Sequence, residues 1–389
     1  MHFSANTPEG TRDRLFVECQ ERRQVQSALI ALFQSRGYHE IITPEVEFYD
    51  LFTQSGCPIP QETMLKIIDR SGKIMVMRPD CTTPIARVAA TKLKTVPLPQ
   101  RLYYDQTVFR SGAAHRGGSS EIAQCGIELI GASGPKADLE IVVMAVDALR
   151  SCGVEDFHIE LGHAGFFRTL ARRTDIPEED LETIRRLIEG KNFAALQDIL
   201  AEREAHASSA ALFRLPYLFG GVEVLDEAET LAGENEDIAY LRGLYEILDA
   251  AGYGRFIKFD LGMVHQIDYY TGVVFRGYLS GAGAPVLSGG RYDHLAEAFG
   301  RPAEATGFAV DVDAVAACLP GAQLPALTCV VHFENGELLR ALAAVDARPV
   351  GTCELSPCRT LESSINLARD KGADTVLVLE NGGERVVTV

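Results

Sequence analysis

Positive charge is scarce in this chain of 389 residues: 37 Lys and Arg stand against 54 Asp and Glu, a net charge of -17. Phosphate binding runs on clustered cations, so this balance works against a nucleic-acid partner, although a local basic face can coexist with an acidic whole. It fits a soluble protein that stays dispersed. Apolar runs of the ~20 residues that a membrane helix needs are absent. The opening Met1-His2-Phe3-Ser4 has no charged segment followed by an apolar one, so neither a secretory signal nor a membrane anchor is expected. Cys-x-x-Cys pairs are missing too. The nine Cys (19, 57, 81, 125, 152, 318, 329, 353 and 358) are odd in number and scattered, which reads as reduced thiols in the cytoplasm. Cys353 and Cys358 stand closest together and are not expected to bridge. No metal site, repeat or low-complexity tract is visible.

The remaining composition is that of an ordinary globular protein, 47% hydrophobic and 23% charged, long enough for two or three domains with substantial cores. Val25, Leu29, Leu32 and Phe33 recur at a helical period within residues 19–36, and Gly37 supplies the left-handed stop. A short strand, Tyr38 to Pro44, follows. Residues 64–78 read as a hairpin turning at Asp69-Arg70-Ser71-Gly72, and 101–110 and 121–130 as two more strands around a Gly/Ser/Ala loop. No β-α-β alternation appears here, so an antiparallel meander is expected. From about Ala164 to Ala251 the texture turns helical between strand-rich segments, as an insertion would. Strands resume at 256–261 and 273–278. Beyond Leu319-Pro320-Gly321, a β-α-β-α-β pattern over about 65 residues predicts a small α/β unit at 324–389, marginal for a core of its own.

The motifs resemble a known family. Pro8-Glu9-Gly10-Thr11-Arg12-Asp13 is similar to the opening of histidyl-tRNA synthetases, and Gly37 to Pro44 to motif 1 of the class II synthetases, their dimer-forming helix and strand. Phe109-Arg110 resembles the start of motif 2, Thr306-Gly307-Phe308-Ala309-Val310 the entry to motif 3, and Arg78-Pro79-Asp80-Cys81-Thr82-Thr83-Pro84 the loop that cradles histidine. Gln266-Ile267-Asp268-Tyr269-Tyr270 and Ser288-Gly289-Gly290-Arg291-Tyr292-Asp293 complete the set. Each piece alone is weak; their order and separations over residues 5–318 make the resemblance specific. It implies an α+β fold: a class II aminoacyl-tRNA synthetase-like antiparallel sheet with flanking helices in residues 1–320, a helical insertion near 164–251, and a truncated anticodon-binding-like α/β domain at 324–389.

Carried over, the family's histidine site comprises Asp80 and Thr82 for the α-ammonium, Arg110 for the α-carboxylate, Gln124 and Glu128 at the polar ends, and Tyr269, Tyr270 and Tyr292 around the imidazole. These residue types suit that ligand, since an ammonium wants carboxylates, a carboxylate a guanidinium fork, and an imidazole aromatic walls with polar handles. Gln124 and Glu128 share a strand face at i, i+4, whereas Tyr269 and Tyr270 as strand neighbours face opposite ways, with Tyr270 favoured for the pocket. Plain alternatives exist for each. The polar pair fits a solvated strand face, the tyrosines strand packing, and Gly289-Gly290 a hairpin turn. His158 and His163 read as structural, and His115-Arg116 as part of a solvated loop.

The departures from the family carry more. The motif 2 Glu that reads adenine is replaced by Gly112, and the loop 111–120 keeps a single Arg. Position 265, an Arg in the synthetases, is His; the motif 3 Arg becomes Ala314, with Asp311 and Asp313 close by. Nucleotidyl chemistry depends on cations around the phosphates, and losing one such group costs on the order of 10²–10³ in rate. Losing several should end adenylation. The pattern therefore resembles the regulatory subunits of ATP phosphoribosyltransferase in bacterial histidine biosynthesis: no catalytic residues, no cofactor, a short-form catalytic subunit as partner, free histidine as feedback ligand, and a homodimer within a hetero-oligomer. The competing expectation is a divergent histidyl-tRNA synthetase or an ATP-dependent amino-acid ligase. A free-standing amino-acid sensor is a third.

Overall fold

The computed structural model describes residues 6–53, 59–111, 119–174, 176–190, 192–201, 207–264 and 269–389. The chain divides into two compact units, Met1–Arg14 with Glu21–Pro320 and Leu15–Gln20 with Gly321–Val389.

The larger unit contains strands β1 (His39–Glu40), β2 (Val46–Phe48), β3 (Lys66–Ile68), β4 (Ile74–Met77), β5 (Gln100–Phe109), β6 (Glu121–Ile130), β7 (Phe157–His163), β8 (Phe219–Gly220), β9 (Ile257–Asp260), β10 (Val273–Leu279), β11 (Leu287–Arg291) and β12 (Ala305–Asp311). Nine of them form one sheet in the order β1-β5-β6-β12-β11-β10-β7-β9-β8; β2, β4 and β3 form a small second sheet. The centre, β5 through β7, is antiparallel. Each flank adds one parallel pair, β1 with β5 and β7 with β9, and β8 then pairs antiparallel with β9. A parallel pair needs a long crossover, and the block of helices from Ala164–Arg172 to Glu236–Ala250 provides one between β7 and β9.

Alternation along β6 decides which groups meet helices and which meet the cavity. Ala123, Cys125, Ile127 and Leu129 pack into the main core with Val25, Leu29 and Phe33 of helix Val17–Ser35 and with Ile141, Val142, Ala145 and Leu149 of helix Gly134–Ser151. Gln124, Gly126 and Glu128 therefore point to the opposite face. Gly37, at φ +80°, ends the first helix as expected.

The smaller unit has strands β13 (Cys329–Phe333), β14 (Cys353–Leu355), β15 (Thr375–Glu380) and β16 (Gly383–Thr388), ordered β14-β13-β15-β16. Helices Leu338–Asp346 and Leu361–Asp370 cover the two faces, through Ala341 against Cys329 and Val331 and through Ala368 against Val330 and Val376. The sequence reading lacks β16. It pairs antiparallel with β15 across the two-residue turn Asn381-Gly382, whose φ values of 50° and 74° are those that Asn-Gly supplies readily. Cys353 and Cys358 are free thiols.

Candidate amino-acid-binding site

A cavity of about 480 Å³ opens on the second face of the sheet, and Gln124 and Glu128 both line it. Glycines give the side chains room. At Gly126 a Cβ would stand 2.7 Å from the Tyr104 hydroxyl, at Gly290 2.7 Å from the Tyr270 ring, and at Gly307 it would collide with the Glu128 carboxylate. Gly289 and Gly290 lie inside β11, paired with Phe275 and Val274, so the hairpin-turn alternative fails.

Glu128 is deeply enclosed, 2% exposed. Thr82 Oγ1 donates to its Oε1 at 2.7 Å, and the Tyr292 hydroxyl donates to Oε2 in a short contact. Burial pushes its carboxyl up to about 8. The Tyr292 phenol is pushed well up by burial and then by Glu128; that of Tyr104 by burial, Cys81 and Glu128.

Asp80 lies on the cavity wall, but its carboxylate already accepts from Thr83 N at 2.7 Å and Thr83 Oγ1 at 3.0 Å, fixing the first turn of helix Thr82–Ala90. Burial raises its pKa against the pull of those bonds and of Arg110. Thr82 begins the helix with its hydroxyl turned to Glu128 rather than left open. Arg110, just past β5, donates through Nε to the Pro79 carbonyl at 2.9 Å and also lines the cavity.

The expected split of Tyr269 and Tyr270 does not occur. Neither residue is in a strand, so period-two alternation does not apply, and both line the cavity. Tyr269 stacks on Tyr292 with centroids 5.4 Å apart and planes at 8°, and Tyr270 meets Tyr269 edge-on at 4.9 Å. Their backbone is held by Arg168, which donates to the carbonyls of Tyr270 at 3.2 Å and Thr271 at 3.3 Å. Beneath them Arg291 grips Asp138 at 2.7 Å and Asp293 at 3.0 Å. Tyr104, Arg168 and Asp138 escape the sequence reading. Tyr104 alone leaves a signal there, the mid-strand Gly126 that marks a close approach.

Gly112, His115, Arg116, His265 and Gln266-Ile267-Asp268 lie outside the described residues. Ala314 sits in helix Val312–Ala316, packed at the edge of the main core. The two acids beside it do not face the cavity among the described residues. Asp311 caps that helix, accepting from Ala314 N at 3.0 Å, and Asp313 pairs with Arg14 at 2.7 Å. The two acids expected close to the lost motif 3 cation are thus a helix cap and an ion-pair partner. His163 caps helix Ala164–Arg172 and meets Asp237 at 2.9 Å, and His158 meets Glu160 at 3.2 Å, both structural roles. Among the described residues no group of His, Cys, Asp or Glu is placed to hold a metal ion, and no helix is long and apolar enough to cross a membrane.

The sequence model of the histidyl-tRNA synthetase family matches residues 10–315. The ATP phosphoribosyltransferase regulatory subunit of Clostridium novyi (strain NT) is 39% identical over 387 residues, 96% of this chain and 92% of its own length. That of Clostridium kluyveri is 43% identical over 314 residues, 79% of this chain and 80% of its own. A solved structure from Bacillus halodurans, described as an ATP phosphoribosyltransferase regulatory subunit/histidyl-tRNA synthetase, superposes with a TM-score of 0.84 at 30% identity, covering 97% of this chain and 98% of that one. Histidyl-tRNA synthetase from Nostoc sp. PCC 7120 is similar in fold, with a TM-score of 0.77 at 17% identity over 100% of this chain and 97% of that one.

Proposed function

This chain belongs to the histidyl-tRNA synthetase-like family of ATP phosphoribosyltransferase regulatory subunits, and from that premise we propose that it is a non-catalytic sensor of histidine. It activates a short-form catalytic subunit at the first step of histidine biosynthesis and carries feedback inhibition by histidine to it, as a homodimer within a hetero-oligomer in the cytoplasm. Histidine is bound by Asp80, Thr82, Arg110, Gln124, Glu128, Tyr269, Tyr270 and Tyr292. Inhibition is then a coupling free energy between this pocket and the partner's active site, equal in both directions.

One observation carries the reading: a deep carboxyl, Glu128, bonded by Thr82 and Tyr292 beside a tyrosine stack, in a chain whose motif 3 cation is replaced by Ala314. The amino-acid half of the site is chemically coherent and the nucleotide half has lost family cations, with His265 and Ala314 in their places. The test mixes this chain with a short catalytic subunit and follows ATP phosphoribosyltransfer with and without histidine. Activity should appear on mixing and fall with histidine; activity indifferent to this chain refutes the reading. Glu128→Ala should keep the activation and lose histidine inhibition by roughly a hundredfold in concentration. Histidine-dependent ATP–pyrophosphate exchange by the pure protein would instead favour the synthetase or ligase alternative.

A further inference from the structure

The two donors on Glu128, Thr82 and Tyr292, are neutral hydroxyls. Titratable groups line the cavity around it from several elements: Asp80 and Cys81 before the helix, Tyr104 and Arg110 on and after β5, Glu189, Tyr269 and Tyr270, Arg276 on β10, and Tyr292 after β11. Of the two arginines among the described residues there, Arg110 is anchored on the Pro79 carbonyl and acts on Asp80, and Arg276 acts on Tyr278. At 2% exposure an ionised Glu128 would be a buried charge with no counter-ion bonded to it among the described residues, a costly state that the acid avoids by keeping its proton. When both hydroxyls donate into the carboxyl, its own proton is left for whatever enters the cavity.

We infer that the empty pocket presents Glu128 as a proton donor and selects a ligand carrying a neutral nitrogen base; resting on the function proposed above, that base is the imidazole of histidine. On binding, the O–H bond of the carboxyl breaks and an N–H bond forms on a ring nitrogen. A neutral pair becomes carboxylate and imidazolium, and no proton is exchanged with solvent. The Thr82 and Tyr292 hydroxyls then donate to an anion, which strengthens both bonds. The stacked Tyr269 and Tyr292 offer aromatic faces to the new cation. Affinity should be highest between the pKa of free imidazole, about 6.5, and that of Glu128, about 8. It should fall on both sides by up to about tenfold per pH unit.

Two measurements on the full chain test this. Infrared difference spectra between wild type and Glu128→Gln at neutral pH should show a protonated-carboxyl band in the empty protein that disappears with histidine. Absence of the band from the empty protein overturns the inference whatever histidine does. A band present with no histidine binding supports the donor and sinks the histidine reading, so the two fail separately. Calorimetry in buffers of different ionisation heat should find little proton exchange midway between those pKa values, and an affinity loss above about pH 8 that Glu128→Gln lacks. Uptake of nearly one proton, with affinity dropping from about pH 6.5 upward, means a permanent carboxylate and overturns the inference. Release of nearly one proton places the ligand's ammonium on Glu128 and overturns the ligand class.

Discussion

Glu128 and Asp138 are equally buried, each 2% exposed, in opposite electrostatic settings. Asp138 receives Arg291 through Nη2 at 2.7 Å and Nε at 3.0 Å, and the Tyr240 hydroxyl at 2.6 Å. Among the described residues Glu128 receives hydroxyls alone. The charge of Asp138 is answered inside the fold, so its carboxylate holds helix Gly134–Ser151 to the end of β11. Glu128 has no such counter-ion among the described residues and opens on a cavity. Burial alone does not distinguish a structural acid from a binding one; what does is whether the fold brings its own counter-ion. Asp313, paired with Arg14 at a more open site, is a weaker case of the first kind.

The largest break in this comparison should come from Arg291→Ala. It leaves Asp138 buried without its counter-ion, with the Tyr240 hydroxyl as a remaining donor, which costs about 3–5 kcal/mol, measured by urea unfolding; a loss below about 1 kcal/mol would mean the pair is not what supports the pocket floor. Glu128→Gln should show a different signature. The folded pKa of Glu128, about 8, lies above its ordinary 4.5, so its contribution is fully present below pH 4.5 and is lost as pH rises toward about 8. Wild type should therefore lose stability against Glu128→Gln over that window, by on the order of a few kcal/mol, in ligand-free thermal melts. A constant difference between the two proteins would refute a protonated Glu128. The smallest effect should be that of Arg14→Ala. Its ion pair with Asp313 is partly open, 13% and 22% exposed, so release should cost about 1 kcal/mol and leave histidine affinity unchanged.

Much of the site is legible in the sequence. Asp80, Thr82, Arg110, Gln124, Glu128, Tyr269, Tyr270 and Tyr292 all line one cavity, although histidine binding there is still the proposal under test. Their legibility comes from motif order and from residue types that suit one ligand. Strand alternation misplaces Tyr269 because its segment is irregular. Asp80 reads as an open ammonium ligand in one dimension, yet much of its hydrogen bonding goes to its own helix, a local competition that Asp commonly wins at helix starts. Strand β16 is missed although Asn381-Gly382 is a hairpin signal, because its flanking strand is exposed and weakly patterned. The parallel flanks of the main sheet are out of reach, since β7 and β9 are separated in sequence by the whole helical block.

The sequence by itself determined the family, the antiparallel centre of the fold, and the pairing of a candidate amino-acid pocket with the replacement of family cations at positions 265 and 314. These are carried by local motifs and by chemistry at single positions. Only the tertiary structure decided which acids are answered. Arg291 reaches Asp138 across 153 residues and Tyr292 reaches Glu128 across 164. Whether a buried carboxyl holds a charge or a proton depends on such distant partners, because in a low-dielectric interior the nearest counter-charge outweighs everything the residue's own neighbours in sequence can supply.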